Sequence, residues 1–331
     1  MKTVKQVGWE GKIIILFAGI IGCAEISTEE SVKSYNKMLQ QFKLLFQEII
    51  NQDIKEFHKF LANTYAKFQI TGNEACLMIF RGYPEESVSD SWTYDIDTAV
   101  TFALELKRRW LLTEFNKNRI SSQKKISDIS VGIHFGRVWI NKTDNDEYEP
   151  EGYAINLAKK IKSHAQTSSY THICLSESAY DKLYSFIDKT AYTFDIPRTL
   201  NIEGDSQSVK VLEIKYHFLP ANWTHEGTKL FRMSTFEPSK DDIEIIEHAR
   251  QIAPSNLWLQ EEHIMMQIQN AYKELLTQRE RKKLNALCKE YSESISAAGK
   301  NSPGSVLGTV NLLVCMISLL SKMKILERST V

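Results

Sequence analysis

The 331-residue sequence lacks several features that mark specialised classes of protein. Lys plus Arg and Asp plus Glu both number 41, so the chain carries no net charge. A neutral chain has no overall attraction for nucleic acid or anionic lipid, and we expect neither as a partner. Pro (7) and Gly (14) are few, and no internal repeat or low-complexity tract is present. Its content of 43% apolar and 25% charged residues is typical of an ordinary globular protein.

Cysteine is too sparse and too irregularly spaced to indicate a disulfide framework or a zinc site. The number is odd and no CxxC pair occurs among Cys23, Cys76, Cys174, Cys288 and Cys315. Four of the five lie in apolar runs. This pattern predicts reduced, buried thiols and a cytoplasmic location.

Long apolar runs are also missing. The stretch Val306–Leu320 falls short of the roughly 20 residues that a membrane-spanning helix needs. It is predicted to be a buried helix or an oligomer contact, with a membrane-associated role as the minority alternative. Near the start, lysines precede Ile13–Ile21 and Gly22-Cys23, which resembles a lipoprotein signal. The shortness and β-branched content of Ile13–Ile21 favour a buried strand instead.

Apolar periodicity predicts alternating strands and helices over the first two thirds of the chain. A hairpin is indicated within Ala66–Phe80, where Gly72-Asn73 separates two short apolar runs. The order is typical of an α+β or α/β layer fold. The other predicted strands are Ile13–Ile21, Ile129–Ile140, Ile173–Ser176 and Val209–Tyr216; the predicted helices follow Ser27 and cover Ile54–Tyr65, Asp95–Phe115, Tyr153–His164 and Glu177–Phe186.

The character of the sequence changes near residue 218. Pro, Asn and Gly mark a linker over residues 218–238. It separates a first domain (1–217) from an all-α region (239–331). Within that region, helices are predicted at Asp241–Ala253 and from Leu257 to Ser294. We expect this region to receive or transmit a signal.

Six short segments of the first domain occur in an informative order. Together they cover about two thirds of the chain, from Lys12 to Tyr216, and they resemble the sequence blocks of class III adenylate and guanylate (nucleotidyl) cyclases. The resemblance implies a ferredoxin-like α+β domain with a central antiparallel sheet, acting as a homodimer or heterodimer. The segments are Ile15–Gly22, Phe68–Glu74, Val131–Gly136, Glu151–Ala158, Ile173–Ser178 and Leu200–Gly204.

The resemblance also implies a reaction that needs metal ions. A cyclase joins the ribose 3′-oxygen to the α-phosphate, and two divalent ions held by two aspartates assist. The matching positions here are Gly19 and Asn73, and neither offers a carboxylate. No metal cofactor is therefore expected, with Mg²⁺ or Mn²⁺ required only if the chain is active. Glu74 and Glu25 are the carboxylates that could serve as substitute metal ligands. Glu74 is expected to face away from Asn73 by strand alternation, and Glu25 lies past the strand end.

A second half of the family site is an Asn and an Arg four residues apart on one helix. The matching residues are Asn156 and Lys160, which share a helix face. They are the catalytic candidates, although lysine keeps only the charge of arginine and loses its planar fork. The alternative is a surface helix with solvated lysines.

The remaining candidates concern the nucleotide. Gln69 and Glu149 match the two positions that set base choice in the family, and they name no particular base. Phe17 and Gly22, in the block that resembles the first family strand, complete the predicted nucleotide site. Asp205 stands where a phosphate-binding lysine often occurs, and its charge would repel phosphate.

Three functional hypotheses follow from these residues. The first is a pseudo-cyclase: a regulatory module that binds a nucleoside triphosphate or cyclic nucleotide. The second is a subunit that supplies Asn156 and Lys160 to a metal-bearing cyclase partner. The third is an active cyclase with unusual metal ligands.

Overall fold

A computed structural model describes residues 8–51, 64–81, 92–143, 147–184, 192–201, 208–217 and 239–256, together with 258–260, 262–263 and 266. It divides into two compact units. One unit comprises Met1–Ile187 with Phe194–Tyr216, and the other comprises Asp188–Thr193 with His217–Val331.

The region before residue 218 alternates strands and helices, as the apolar pattern predicts. The described elements are β1 (Gly8–Ile20), α1 (Cys23–Glu29), α2 (Val32–Ile49), β2 (Thr64–Thr71), β3 (Glu74–Arg81), α3 (Trp92–Leu111), α4 (Glu114–Ser121), β4 (Ile129–Lys142), β5 (Tyr148–Glu151), α5 (Tyr153–Ala165), β6 (Ile173–Ser176), α6 (Glu177–Tyr184), β7 (Tyr192–Phe194), β8 (Arg198–Asn201) and β9 (Ser208–His217).

These strands form one sheet in the order β2-β3-β1-β4-β6-β9-β7, with β5 paired to β4 and β8 paired to β9. The β2-β3-β1-β4 part is antiparallel throughout, whereas β6 runs parallel to β4. The predicted α+β class, with a central antiparallel sheet flanked by helices, is confirmed.

Strand β1 is buried on both faces because helices cover the sheet from two sides. Its odd-numbered residues Ile13 and Ile15 pack in one cluster with Ala154 and Ala158 of α5. The even-numbered residues, such as Leu16, are equally buried and point to the other face. That face is covered by α3, which contacts β1 and β4 and packs on α2.

Two predicted helices need correction. The helix predicted over Asp95–Phe115 is two helices, because the Thr113 side chain accepts a hydrogen bond from Asn116 N and begins α4. The helix predicted over Ile54–Tyr65 is wrong at its end, since Thr64 and Tyr65 belong to β2. There Tyr65 stacks on Phe80 of β3, with ring centroids 5.8 Å apart. Residues 54–63 lie outside the described part of the chain.

The hairpin predicted at Gly72-Asn73 is confirmed. Gly72 adopts a φ of 59°, a left-handed conformation that glycine reaches without strain. Strands β2 and β3 leave this turn in register, with Thr71 opposite Glu74.

The second unit contains α7 (Lys240–Ile252), close to the predicted helix Asp241–Ala253. A capping box between Ser239 and Asp242 begins it. Within the described residues, no helix is long and apolar enough to cross a membrane. The linker 218–238, the end of the helical region and Val306–Leu320 lie outside the described residues. The domain boundaries stay predictions.

Candidate functional site

The candidate site lies where β1 ends, on the face of the sheet that α5 covers. Gly19 of β1 is directly opposite Glu74 of β3, and residues so paired share a face. Glu74, which is expected to face away from Asn73, therefore lies on the same face as Gly19. Asn73 belongs to the hairpin turn rather than to the strand, so strand alternation does not relate the two neighbours.

Helix α5 sits unusually close to the sheet at Gly132 of β4. A Cβ atom added at Gly132 would lie only 2.3 Å from the backbone nitrogen of Lys162. Only glycine permits this approach. The close packing brings the side chain of Lys162 down onto the end of β1.

Lys162 fills the space above Gly19. Its Nζ donates a hydrogen bond of 2.5 Å to Glu74 Oε1, and only 4% of its side chain is exposed. A Cβ atom at Gly19 would lie 3.4 Å from this Nζ and 3.3 Å from Cδ. The missing side chain at Gly19 therefore leaves room that an ammonium group occupies.

A second lysine completes the cluster. Nζ of Lys159 lies 2.8 Å from Glu74 Oε2, and this lysine is half exposed. Burial alone would raise the pKa of Glu74, but the hydrogen bonds from Lys159 and Lys162 outweigh it and lower that pKa below its ordinary value. Glu74 is thus an ionised carboxylate with both oxygens engaged by ammonium groups.

Asn73 lies in the turn between β2 and β3. Its backbone oxygen accepts a hydrogen bond of 3.1 Å from Ile20 N, which joins the turn to the end of β1. The side chains of Asn73 and Tyr35 act to lower the pKa of the Cys23 thiol. Burial nevertheless raises the pKa of Cys23. Cys76 and Cys174 are free and buried as predicted, Cys23 is free but only half-buried, and the other two cysteines lie outside the described residues.

The donor set here does not fit a pair of divalent ions. Such ions bind through carboxylate and carbonyl oxygens. Gly19 provides no side-chain ligand, Asn73 offers only a neutral amide, and the carboxylate of Glu74 is paired with two lysines. In the part of the chain that the structure describes, no group of three or more His, Cys, Asp and Glu side chains could hold a metal ion.

Asn156 and Lys160 lie on α5, beside its buried stripe. Asn156 is exposed and Lys160 is half-buried. They share one helix face, as their spacing predicts. The buried residues of α5 are Ala154, Leu157, Ala158, Ile161, Lys162 and Ala165.

The two predicted base-selecting residues lie on β2 and β5, which an ion pair joins. Glu149 of β5 forms an ion pair with Lys67 of β2, with Lys67 Nζ 3.4 Å from Glu149 Oε1. Gln69 is exposed two residues further along β2, on the same face as Lys67. Lys67 is absent from the residues predicted for this site, although the period of two along a strand places it beside Gln69.

Phe17 and Gly22 flank the end of β1. Phe17 is half-buried and packs against the apolar cluster under α5. Gly22 adopts a φ of 73° and precedes α1, where its oxygen accepts a hydrogen bond of 2.9 Å from Ile26 N. Glu25 is exposed on α1 and Asp205 lies outside the described residues.

An antiparallel β2-β3-β1-β4 sheet with helices on both faces defines this region as a ferredoxin-like α+β domain. Residues 6–219 match the family model described as the adenylate and guanylate cyclase catalytic domain. The chain therefore belongs to this family, as the six sequence segments predict.

Several solved structures are similar to this chain at low sequence identity. The adenylyl cyclase CyaB from P. aeruginosa is 16% identical over 65% of this chain and 98% of that one, with a TM-score of 0.49. The guanylyl cyclase Cya2 is 17% identical over 65% and 97%, with a TM-score of 0.48. A dimeric guanylyl cyclase domain from the fungus Blastocladiella emersonii is 18% identical over 64% and 99%, with a TM-score of 0.40. Among curated proteins, no sequence relative matches.

Proposed function

We propose that this chain is a catalytically impaired nucleotidyl cyclase, a pseudo-cyclase that serves as a nucleotide-binding or regulatory module in cyclic-nucleotide signalling. One observation carries the proposal: the ammonium group of Lys162 lies above Gly19 and against Glu74. The family reaction needs carboxylates that hold divalent cations at this place. In this proposal, the ammonium group of Lys162 stands where the family binds divalent metal ions.

Electrostatics favours this interpretation over unusual metal ligands. A divalent ion bound by Glu74 would lie beside two ammonium groups, those of Lys159 and Lys162. Two unit charges about 4 Å apart repel by about 4 kcal/mol near a protein surface, and a divalent ion doubles that figure. Such an ion would also have to displace the two lysines from the carboxylate oxygens of Glu74.

A product assay tests the proposal. The purified chain is incubated with ATP, GTP, CTP or UTP, each with Mg²⁺ and with Mn²⁺, and cyclic nucleotide and pyrophosphate are sought by mass spectrometry. We expect no product from any combination. Cyclic nucleotide from any one of them, lost on Glu74→Gln but kept on the remote change Lys37→Met, would establish an active cyclase with a new ligand set.

A binding measurement tests the nucleotide-binding part of the proposal. We expect the affinity for a nucleotide to be the same in Mg²⁺ as in a chelator, because Lys159 and Lys162 supply the local positive charge. Isothermal titration of the full chain measures this. A Kd that falls tenfold or more on adding Mg²⁺ would contradict the proposal.

A second candidate function rests on the exposure of Asn156. Asn156 and Lys160 lie outside the buried stripe of α5, where a partner domain has access to them. This favours a subunit that completes the site of a metal-bearing cyclase. Mixing with a cyclase domain that carries both aspartates should then raise product formation. Asn156→Ala should abolish the gain, and Lys37→Met should leave it intact.

A further inference from the structure

We propose that Lys162 is a resident cation that excludes metal from this site even when the two aspartates are put back. The inference rests on the proposed function and names the residue that enforces it. Carboxylates introduced at positions 19 and 73 would pair with the Lys162 ammonium instead of binding Mg²⁺ or Mn²⁺.

The first step is geometric. The Cβ position of Gly19 lies 3.4 Å from Lys162 Nζ, so a carboxyl group attached there meets the ammonium at once. The contact is tight, but its other member is the end of a flexible side chain, which can shift by a few tenths of an ångström. Gly19→Asp therefore creates a new ion pair at close range.

The second step concerns burial. Lys162 lies on the same helix stripe as Ala154 and Ala158, at intervals of four residues, and only 4% of its side chain is exposed. A buried ammonium is stable only when it is paired, and Glu74 is its partner at 2.5 Å. This pairing therefore holds the Lys162 ammonium in the site. Lys159 is half exposed, and its side chain reaches water more easily.

The residues at positions 19 and 162 depend on each other. A side chain at position 19 would press against the side chain of Lys162, which must shift to admit it. Gly19 and Lys162 are therefore a matched pair. Restoring a metal site requires reversing both members.

Metal binding without nucleotide tests the inference. Binding of Mn²⁺ to the full chain is measured by electron paramagnetic resonance for four proteins: the wild type, Gly19→Asp/Asn73→Asp, the same pair with Lys162→Met, and the same pair with the remote change Lys37→Met. We expect the variant with Lys162→Met to bind Mn²⁺ at least tenfold more tightly than the other three.

Equal Mn²⁺ affinity with and without Lys162→Met would overturn the inference, and so would no binding by any variant. Circular dichroism establishes that each variant is folded, and Lys162→Gln replaces Lys162→Met if the latter does not fold. The proposed function fails separately, through product formation by the wild type in the nucleotide assay. The two failures are therefore distinguishable.

Discussion

Two buried lysines reach carboxylates near the end of β1, one from α3 and one from α5. Lys107 of α3 is fully buried and donates to Asp128, which directly precedes β4. Asp128 also bonds His172 Nδ1 at 3.0 Å and the backbone nitrogen of Ile129 at 2.7 Å. Its backbone oxygen accepts from Ile21 N. This pair therefore joins the end of β1 to the starts of β4 and β6.

The pair on α5 has a different setting. Glu74 is bonded by Lys162 and Lys159, two side chains of one helix, and it is 26% exposed. In the contacts described, its carboxylate holds no backbone group. The comparison teaches that the Lys107 pair organises strand ends, whereas the Lys162 pair sets the charge of a site. Substitutions that remove each lysine separate these roles.

Removal of Lys107 should have the largest effect on stability. Burial alone would raise the pKa of Asp128, but Lys107 and His172 together outweigh it and hold that pKa well below its usual range. Lys107→Met leaves this carboxylate without its main counter-charge, and we expect a loss of about 3 kcal/mol in the free energy of unfolding. Urea unfolding measures it. A loss below about 1 kcal/mol would contradict the structural role.

The matched control is the exposed ion pair of Lys37 with Glu114. Their side chains are 55% and 58% exposed, and Nζ lies 2.7 Å from Oε1. Exposed pairs contribute little, so Lys37→Met should change the free energy of unfolding by less than about 0.5 kcal/mol.

Removal of Lys162 should have a smaller effect. Glu74 keeps Lys159 and some contact with water, so we expect Lys162→Met to lower the free energy of unfolding by about 1 to 2 kcal/mol. A double-mutant cycle with Glu74→Gln, read by urea unfolding, isolates the energy of the pair. A cost equal to that of Lys107→Met would erase the distinction between the two lysines.

Acid should remove the contribution of Glu74. Its folded pKa is lowered below the ordinary value of 4.5, so the stabilisation is fully present above about pH 4.5 and is lost as the pH falls through the folded pKa. The difference in free energy of unfolding between the wild type and Glu74→Gln should therefore be constant from pH 7 to 5 and narrow below that. A difference that grows in acid would refute the assignment.

The smallest effect is expected at the pair of Lys67 and Glu149. Both side chains are at least one third exposed, and the ions are 3.4 Å apart. Lys67→Met should change the free energy of unfolding by less than about 0.5 kcal/mol. Thermal unfolding followed by circular dichroism measures this change. A larger loss would indicate that β5 depends on this contact.

The sequence predicts the regular part of the fold well. Strand β6 has the predicted bounds, Ile173–Ser176, because a short apolar run before a helix leaves few alternatives. Helix α5 ends one residue beyond the predicted His164. Strands β7 and β8, of three and four residues, are missed because they are too short to show a period of two. The break at Thr113 is missed because apolar spacing continues across it.

The charge cluster of the site escapes prediction for a different reason. Lys162 and Glu74 are 88 residues apart, and no local pattern joins them. One signal was available, since a lysine at the interval of Ala154 and Ala158 lies on an apolar stripe and needs a buried partner. The identity of that partner depends on the hairpin turn at Asn73, which alternation along a strand does not describe.

The attachment of the Lys162 ammonium to the chain has a consequence for regulation. A bound metal ion exchanges with its surroundings, and its occupancy follows the free concentration of magnesium. A cation that is part of a side chain has full occupancy as soon as the domain is folded, and chelators cannot remove it. If the chain has the proposed function, the charge that faces a ligand is constant, and we expect its response to be independent of magnesium.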